Sequence, residues 1–264
     1  IGSPGAPGGR REDGVMDRAE ISRIAHTDHP IAAPVSPAQA RRLLARLGPA
    51  RGGHVVDLGC GAGAWLLELL EARPDLTAVG VDTALHPERD ARARASGAGD
   101  RVTWVEADAA TWSADRAFDA VICIGASHAF GGVEGTLEAI RRHLRAGGRA
   151  LLGDAIWEQP PSVAAQEALG AQPEDFPTLP RLVATIERHG FEVGYAHVSS
   201  AQEWDDYEWS WTGSLVAWAL HEDRSDGERE QALNTARTHR SEWIEGYRGE
   251  LGFLTAVLHD TGNR

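Results

Sequence analysis

Val55-Val56-Asp57-Leu58-Gly59-Cys60-Gly61-Ala62-Gly63 decides the fold of this 264-residue chain, because a short apolar run leads directly into three alternate glycines. A helix-like segment, 65–72, follows. Glycine permits the positive φ and the close backbone approach that a ligand at such a turn requires. The next helix presents free N–H groups to that ligand. The pattern predicts a strand, a ligand-binding turn and a helix, although Gly59, Gly61 and Ala64 also match the dinucleotide fingerprint G-x-G-x-x-A.

Apolar runs alternate with helix-like segments along the rest of the chain. Ser36 is predicted to cap the first helix, with Gln39 closing a capping box. Near-continuous apolar strands separated by helices are typical of a parallel sheet covered on both faces, so we predict an α/β fold. Predicted strands cover 54–58, 77–81, 102–105, 118–124, 150–156, 191–198 and 251–258, and the last two predicted helices cover 202–220 and 227–248.

Three aspartates stand at the ends of successive predicted strands. Asp82 closes the second run, 23 residues after Gly59, where a carboxylate can accept both hydroxyls of a ribose. Asp108 follows the third run, where a carboxylate can meet the exocyclic amine of adenine. At Asp57 a negative charge suits a ligand with a cationic centre better than a pyrophosphate, which it would repel.

At these motifs the chain resembles the class I S-adenosylmethionine-dependent methyltransferases of bacteria that act on small molecules. Segments 57–63, 80–82, 106–109, 118–125 and 144–149 resemble five motifs of that family in order, over roughly residues 36–200. The chain departs at Ala146, where the family usually carries proline. The resemblance implies a Rossmann-like, doubly wound, seven-stranded and mostly parallel sheet with an N-terminal helical lid and a helical insertion before the last strand.

The resemblance also implies S-adenosylmethionine as cofactor and S-adenosylhomocysteine as product. Its first-motif glycines, which hold the methionyl part, are Gly59, Gly61 and Gly63. Asp82 then binds the ribose and Asp108 the adenine. Further cofactor-binding residues are predicted beside these motifs: Asp57, Cys60, Thr83, Ala109 and Ile124.

The methyl acceptor is expected beyond the fourth and fifth strands. Transfer from a sulfonium is an in-line displacement, and a base is needed only if the acceptor must lose a proton early. His128, just past the fourth strand, is the candidate base or acceptor-orienting group, the alternative being a loop histidine that packs or caps. Trp157 is a candidate acceptor wall or a cover for the sheet. His29 is predicted to be a substrate-binding lid residue; the segment 26–31 has no partner cluster elsewhere, so no metal is predicted.

The segment 203–211 combines four aromatic residues with four carboxylates. At helical spacing Trp204, Tyr207, Trp211 and Trp218 share a face. The helix either packs this face on the sheet or forms a cap over the acceptor, with Tyr207 and Trp211 as substrate-binding residues.

Composition excludes several classes of function. All 26 basic side chains are arginine, so the Walker phosphate loop, pyridoxal-phosphate Schiff bases and lysine nucleophiles are ruled out. A net charge of −13 makes nucleic acids and anionic membranes poor partners. With two cysteines and no long apolar run, the protein is expected to be cytoplasmic. The resemblance implies a small-molecule methyl acceptor as its partner, and either a monomer or a homodimer is expected.

The predicted organisation is a disordered tail (1–14), an N-terminal lid and helix (15–53), a cofactor-binding core (54–200), a helical cap (201–249) and a last strand (250–264). The predicted function is O-, N- or C-methylation of a small molecule, such as a specialised metabolite. Two alternatives stay open from the sequence: an NAD(P)-dependent oxidoreductase, and a non-catalytic cofactor-binding protein.

Overall fold

A computed structural model describes residues 15–49 and 51–262, so the predicted tail (1–14) lies outside the described residues. Within the described residues, seven strands form one sheet in the order β3-β2-β1-β4-β5-β7-β6. β1 to β5 are parallel, and β7 runs antiparallel to both β5 and β6. This confirms the predicted sheet. The strands are β1 His54–Leu58, β2 Thr77–Asp82, β3 Val102–Glu106, β4 Phe118–Ile124, β5 Leu144–Trp157, β6 Phe191–Val198 and β7 Leu251–Asp260.

Helices cover both faces of the sheet. Val55 and Val56, consecutive on β1, are both fully buried, in two different apolar clusters on opposite faces. Of the described residues, no helix is long and apolar enough to cross a bilayer. The described helices are α1 Arg18–Ala25, α2 Pro37–Leu47, α3 Ala64–Ala72, α4 Arg89–Ala95, α5 Val133–His143, α6 Val163–Leu169, α7 Leu179–Arg188, α8 Ala201–Ala219 and α9 Asp226–Ser241, with short 3₁₀ turns at Gly99–Arg101 and Ser127–Phe130.

The insertion before β7 consists of α8 and α9, which pack against each other and against α1 through a third apolar cluster. The Gln231 side chain on α9 also hydrogen-bonds the backbone N–H and C=O of Met16, each at 2.8 Å. The N-terminal segment therefore folds onto the insertion. The last predicted helix, 227–248, has two parts: α9 ends at Ser241, and Glu242–Tyr247 continues it as a π-helical turn.

The capping box predicted for α2 is wrong in one partner. Ser36 Oγ does accept from the backbone N–H of Gln39, at 3.4 Å, but the Gln39 side chain turns away and donates to the Tyr195 hydroxyl. The Ser36 N–H donates instead to Glu203 Oε1 of α8, at 2.9 Å. The distant Glu203 carboxylate therefore replaces the Gln39 side chain as the acceptor of the Ser36 N–H.

The C-terminal ends of β1 and β4 mark the point where the strand order reverses. β1 lies between β2 and β4. The chain continues from β1 to β2 on one side of this point and from β4 to β5 on the other. In open α/β sheets a crevice forms at this point, outside the carboxyl ends of the strands. The glycine turn after β1 lies at this crevice.

Candidate functional site

The turn after β1 is held open by backbone geometry that glycine alone adopts easily. Gly59, Gly61 and Gly63 have φ of 82°, 50° and 76°. The N–H groups of Gly59 and Cys60 both donate to the Val81 carbonyl, at 2.9 and 3.0 Å. These bonds fix the turn against the end of β2.

Asp82, at the end of β2, is directly bonded to the glycine turn. Its Oδ2 accepts from the Gly61 N–H at 2.8 Å, and its Oδ1 accepts from the Ala84 N–H at 3.0 Å. Each carboxylate oxygen keeps a lone pair for a ligand hydroxyl. We call the space beside it the glycine cleft; Gly61, Ala62, Asp82, Leu85, His86 and Arg23 are among the residues that line it.

The other predicted cofactor residues lie around the same edge of the sheet. Asp108 is exposed, and its Oδ1 accepts from the Ala110 N–H at 2.9 Å. Thr83 is exposed and Ala109 is buried. The Ile124 side chain packs into the apolar core beneath the crevice.

Asp57 is a carboxylic acid buried at the end of β1, with 2% of its surface exposed. Within the described residues no group donates a hydrogen bond to its carboxylate. Burial, and then the negative charge of Asp82, raise the pKa of Asp57 to about 8. A cation bound beside it would restore the ionised form. These surroundings fit the positively charged S-adenosylmethionine and disfavour a pyrophosphate.

A second cavity, which we call the cap cavity, lies between the sheet and the insertion and has a volume of about 360 Å³. Gly125 after β4, Ala155 on β5 and Phe253 on β7 form its floor, at the carboxyl edge of β4 and β5. Ser22, His26 and Ala32 line both this cavity and the glycine cleft, so the two spaces adjoin under α1. Its other walls include Trp204, Tyr207, Glu208, Trp211, His239 and Tyr247.

Glu208 is the buried centre of a hydrogen-bonded cluster in the cap cavity. It is 2% exposed; its Oε2 lies 2.6 Å from His239 Nε2, and its Oε1 accepts from the Tyr247 hydroxyl at 2.7 Å. Burial first, and then the Glu208 charge, raise the pKa of Tyr247 well above its usual range. The Tyr247 hydroxyl therefore stays protonated and donates to Glu208.

Tyr207 and His26 form a second polar pair on the same wall. His26 Nδ1 lies 2.7 Å from the Ser22 carbonyl, so Nδ1 carries the hydrogen. His26 Nε2 is then an acceptor, and the Tyr207 hydroxyl donates to it at 3.1 Å. Burial lowers the pKa of His26, and burial together with the Glu208 charge raises the pKa of Tyr207.

The five predicted acceptor residues occupy different surroundings. Tyr207 and Trp211 line the cap cavity. His29 packs edge-on against Tyr207, with ring centroids 5.3 Å apart. Trp157 is buried against Phe176, and its Nε1 donates to the Pro173 carbonyl at 3.1 Å. His128 is exposed on the 3₁₀ turn after β4 and is not among the residues lining the cap cavity.

Sequence reasoning did not select the polar residues of the cap cavity. His26 and Glu208 lie inside segments that the sequence picks out, but neither has a spacing that distinguishes it from its neighbours. His239 and Tyr247 reach Glu208 only because α9 and the π-helical turn pack against α8. Pairs 31 and 39 residues apart carry no pattern in a single sequence.

Comparison with known proteins agrees with this geometry. The model of a methyltransferase domain matches residues 55–148. The chain is 30% identical over 197 residues to the uncharacterised Escherichia coli protein YjhP, covering 73% of this chain and 79% of that protein. It is 35% identical over 109 residues to a trans-aconitate 2-methyltransferase from Azoarcus, covering 41% of this chain and 42% of that enzyme.

A solved structure extends the similarity over nearly the whole chain. It is an S-adenosylmethionine-dependent methyltransferase from Geobacter sulfurreducens in complex with S-adenosylhomocysteine, with a TM-score of 0.80 and 28% identity. The match covers 90% of this chain and 96% of that one. Together with the sheet order, the glycine turn and the acidic strand ends, these similarities show that the chain belongs to the class I S-adenosylmethionine-dependent methyltransferases and that S-adenosylmethionine is its cofactor.

Proposed function

We propose that this methyltransferase transfers a methyl group to a small, flat molecule bound in the cap cavity. The observation that carries the proposal is a cavity of about 360 Å³, with aromatic walls, that adjoins the glycine cleft at Ser22, His26 and Ala32. Pockets of this size, apolar with a few polar groups, are typical of sites for small ligands.

The cofactor-binding residues of this proposal hold S-adenosylmethionine in place. We propose that Gly59, Gly61 and Gly63 hold the methionyl part, Asp82 the ribose hydroxyls and Asp108 the adenine, with Asp57 opposite the positive charge. Cys60, Thr83, Ala109 and Ile124 complete this site. When bound, S-adenosylmethionine supplies a methyl group on a positively charged sulfur. The residues of the chain orient the acceptor against that group and exclude water from the space between them.

The insertion supplies the acceptor walls in this proposal. Trp204, Tyr207 and Trp211 share the face of α8 that lines the cap cavity, as their helical spacing predicts. The Azoarcus relative is named for a small organic acid, which is in keeping with a small acceptor. We likewise assign 15–53 to a lid, 54–200 to the core, 201–249 to a cap and 250–264 to the last strand. The roles of His29, His128 and Trp157 toward the acceptor stay predictions.

The test separates acceptor binding from cofactor binding. Trp211→Ala removes a wall of the cap cavity, and Trp209→Ala is a matched control, because Trp209 is 50% exposed on another face of the same helix. Methylation of a panel of small phenols, amines and carboxylic acids is followed by mass spectrometry, and S-adenosylhomocysteine binding by calorimetry. We expect Trp211→Ala to raise the acceptor KM at least about tenfold, the equivalent of about 1.4 kcal/mol, with cofactor affinity unchanged.

Two results would overturn the proposal. If Trp211→Ala weakens cofactor and acceptor binding equally, or neither, the cap cavity is not the acceptor site. If the protein binds S-adenosylhomocysteine but methylates no member of the panel, it behaves as the non-catalytic binding protein that the sequence left open.

A further inference from the structure

The cluster around Glu208 has the arrangement of a histidine oriented by a carboxylate. Glu208 is 2% exposed, whereas the His239 side chain is 27% exposed and lines the cap cavity. The Tyr247 hydroxyl donates a hydrogen bond to the other carboxylate oxygen of Glu208. A buried carboxylate with both oxygens engaged fixes the ring orientation of its histidine partner.

The hydrogen bond also fixes the tautomer of His239. The Glu208 carboxylate accepts from Nε2, at 2.6 Å, so Nε2 carries the hydrogen of the neutral ring. No described residue is hydrogen-bonded to Nδ1. The ring is held parallel to Trp211, with centroids 3.9 Å apart and an angle of 25°. In the neutral ring Nδ1 is thus the nitrogen without a hydrogen, and the ring is held at the wall of the cavity.

His26, the other described histidine that lines the cap cavity, has hydrogen bonds at both ring nitrogens. Its Nδ1 is engaged by the Ser22 carbonyl and its Nε2 by the Tyr207 hydroxyl. Neither nitrogen is left for a ligand, and the pair holds Tyr207 in place. The described residues that line the cavity therefore offer one histidine with a free acceptor nitrogen, and it is His239.

We propose that His239, oriented by Glu208, is the general base of the reaction and that the acceptor is methylated on an aromatic hydroxyl. This inference rests on the proposed function. A phenol must lose its proton as it attacks, whereas an amine attacks with its lone pair and needs no base first. The flat ring that stacks among Trp204, Tyr207 and Trp211 would bring its hydroxyl to the cavity wall.

The step balances as follows. The acceptor oxygen forms a bond to the methyl carbon while the sulfur–methyl bond breaks, and the bonding electron pair stays on sulfur. The hydroxyl proton passes to Nδ1 of His239 and then to water. The positive charge leaves the sulfur and appears on the imidazolium, beside the Glu208 carboxylate that stabilises it. In this scheme Glu208 is a positioning residue and does not take the proton.

The first test is spectroscopic and needs no turnover. Para-nitrophenol and nitrocatechol are titrated into the protein loaded with S-adenosylhomocysteine, at a pH below the pKa of each free phenol. We expect the bound phenol to show the absorbance of its anion, because His239 takes the proton. His239→Gln keeps an amide N–H for Glu208 but has no basic nitrogen, so the phenol should bind to it uncharged. Six other described titratable residues line the cavity and are unchanged in this variant: Arg18, His26, Tyr207, Glu208, Glu242 and Tyr247.

The second test compares rates. His239→Gln should lower kcat for phenol methylation about 100-fold with KM changed less than about threefold, as expected for loss of a general base. Glu208→Gln should lower kcat by a smaller factor with KM nearly unchanged, because the His239 ring loses the carboxylate that orients it. His221→Gln is the matched control, because His221 is exposed in the α8–α9 connection and is paired with Asp223.

The outcomes distinguish this inference from the proposed function. If neither nitrophenol binds and no phenol, amine or carboxylic acid of the panel is methylated, the proposed function and this inference both fail. If phenols are methylated but the bound nitrophenol stays uncharged, or ionises equally in His239→Gln, only the role of His239 fails. Methylation confined to amines or carboxylates would retain the small-molecule function and overturn the hydroxyl acceptor.

Discussion

Trp104 on β3 explains two of the glycines near the cofactor site. A Cβ added to Gly63 would clash with the Trp104 ring, and a Cβ added to Gly80 would lie 2.6 Å from it. The ring thus fills the space that two missing side chains leave between the turn and β2. The glycine pattern serves packing inside the turn as well as the approach of a ligand.

Gly63→Ala should destabilise the protein more than its backbone strain alone requires. Gly97→Ala is the matched control, because Gly97 has a similar φ (71° against 76°) and its Cβ would meet nothing within 4 Å. We expect Gly97→Ala to cost about 1–2 kcal/mol and Gly63→Ala about 1–3 kcal/mol more, from overpacking against Trp104. Urea unfolding of both variants measures the difference, and equal costs would contradict the packing role.

Asp57 links cofactor binding to the stability of the free protein. Its pKa is raised to about 8 from 3.8, so the folded chain binds this proton more tightly than the unfolded chain. The free energy of unfolding of the cofactor-free protein therefore contains a contribution that is complete below about pH 4 and is lost as pH rises to about 8.

Asp57→Asn should stabilise the cofactor-free protein at about pH 8 and weaken the binding of S-adenosylmethionine. Asn keeps the shape and removes the buried charge. Asp115→Asn, at an exposed site, removes the same charge as a control. Thermal unfolding without cofactor measures the stability of the free protein. The increase in melting temperature on adding cofactor measures the strength of cofactor binding. A variant that is less stable at about pH 8, with unchanged cofactor affinity, would refute this account of Asp57.

At the scale of elements, Glu203 joins three parts of the chain. It caps α8 through Ser200, accepts the Ser36 N–H at the start of α2, and binds His197 Nε2 of β6 at 2.8 Å. Burial acts to raise the pKa of Glu203, but the hydrogen bonds from Ser200, Ser36 and His197 prevail and lower it to about 2. The insertion is fastened to the sheet domain at this carboxylate.

Glu203→Gln should therefore cost about 1–3 kcal/mol, more than the same change at Glu228. Glu228 closes an equivalent capping box with Ser225 at the start of α9, and within the described residues its side chain is hydrogen-bonded to Ser225 alone. Because the pKa of Glu203 is lowered, its contribution is present above about pH 4.5 and is lost as pH falls toward about 2.

Urea unfolding at neutral and at acidic pH tests both statements. The wild type should lose more stability than Glu203→Gln when the pH is lowered through this window. Equal costs for the Gln variants at 203 and 228, or an unchanged pH dependence, would show that the carboxylate does not join the elements.

Elements that depend on neighbouring residues can be predicted from the sequence. Contacts between residues far apart in the chain cannot. The strands follow from apolar runs and the glycine turn from local backbone demands, and the structure confirms them. The sequence predicts Gln39 as the capping partner of Ser36, whereas the observed partner, Glu203, lies 167 residues away. The Glu208–His239 pair likewise requires the packing of two helices, and no period in the sequence encodes it.

At the scale of the molecule, two spaces meet beneath one helix. The glycine cleft and the cap cavity share Ser22 and His26 of the α1 region. α1 packs against α8, and Met16, just before α1, is hydrogen-bonded to Gln231 of α9. Access to either space therefore depends on the N-terminal segment. The segment 201–264 carries thirteen acids against six arginines, and this excess of negative charge disfavours a polyanionic acceptor.

The most direct measurement follows a deuterium-labelled methyl group from S-adenosylmethionine into separated fractions of a cell extract: small molecules, proteins and nucleic acids. The account predicts that the label appears in the small-molecule fraction, and that Trp211→Ala reduces this transfer while Trp209→Ala does not. Label found only in protein or nucleic acid would contradict it.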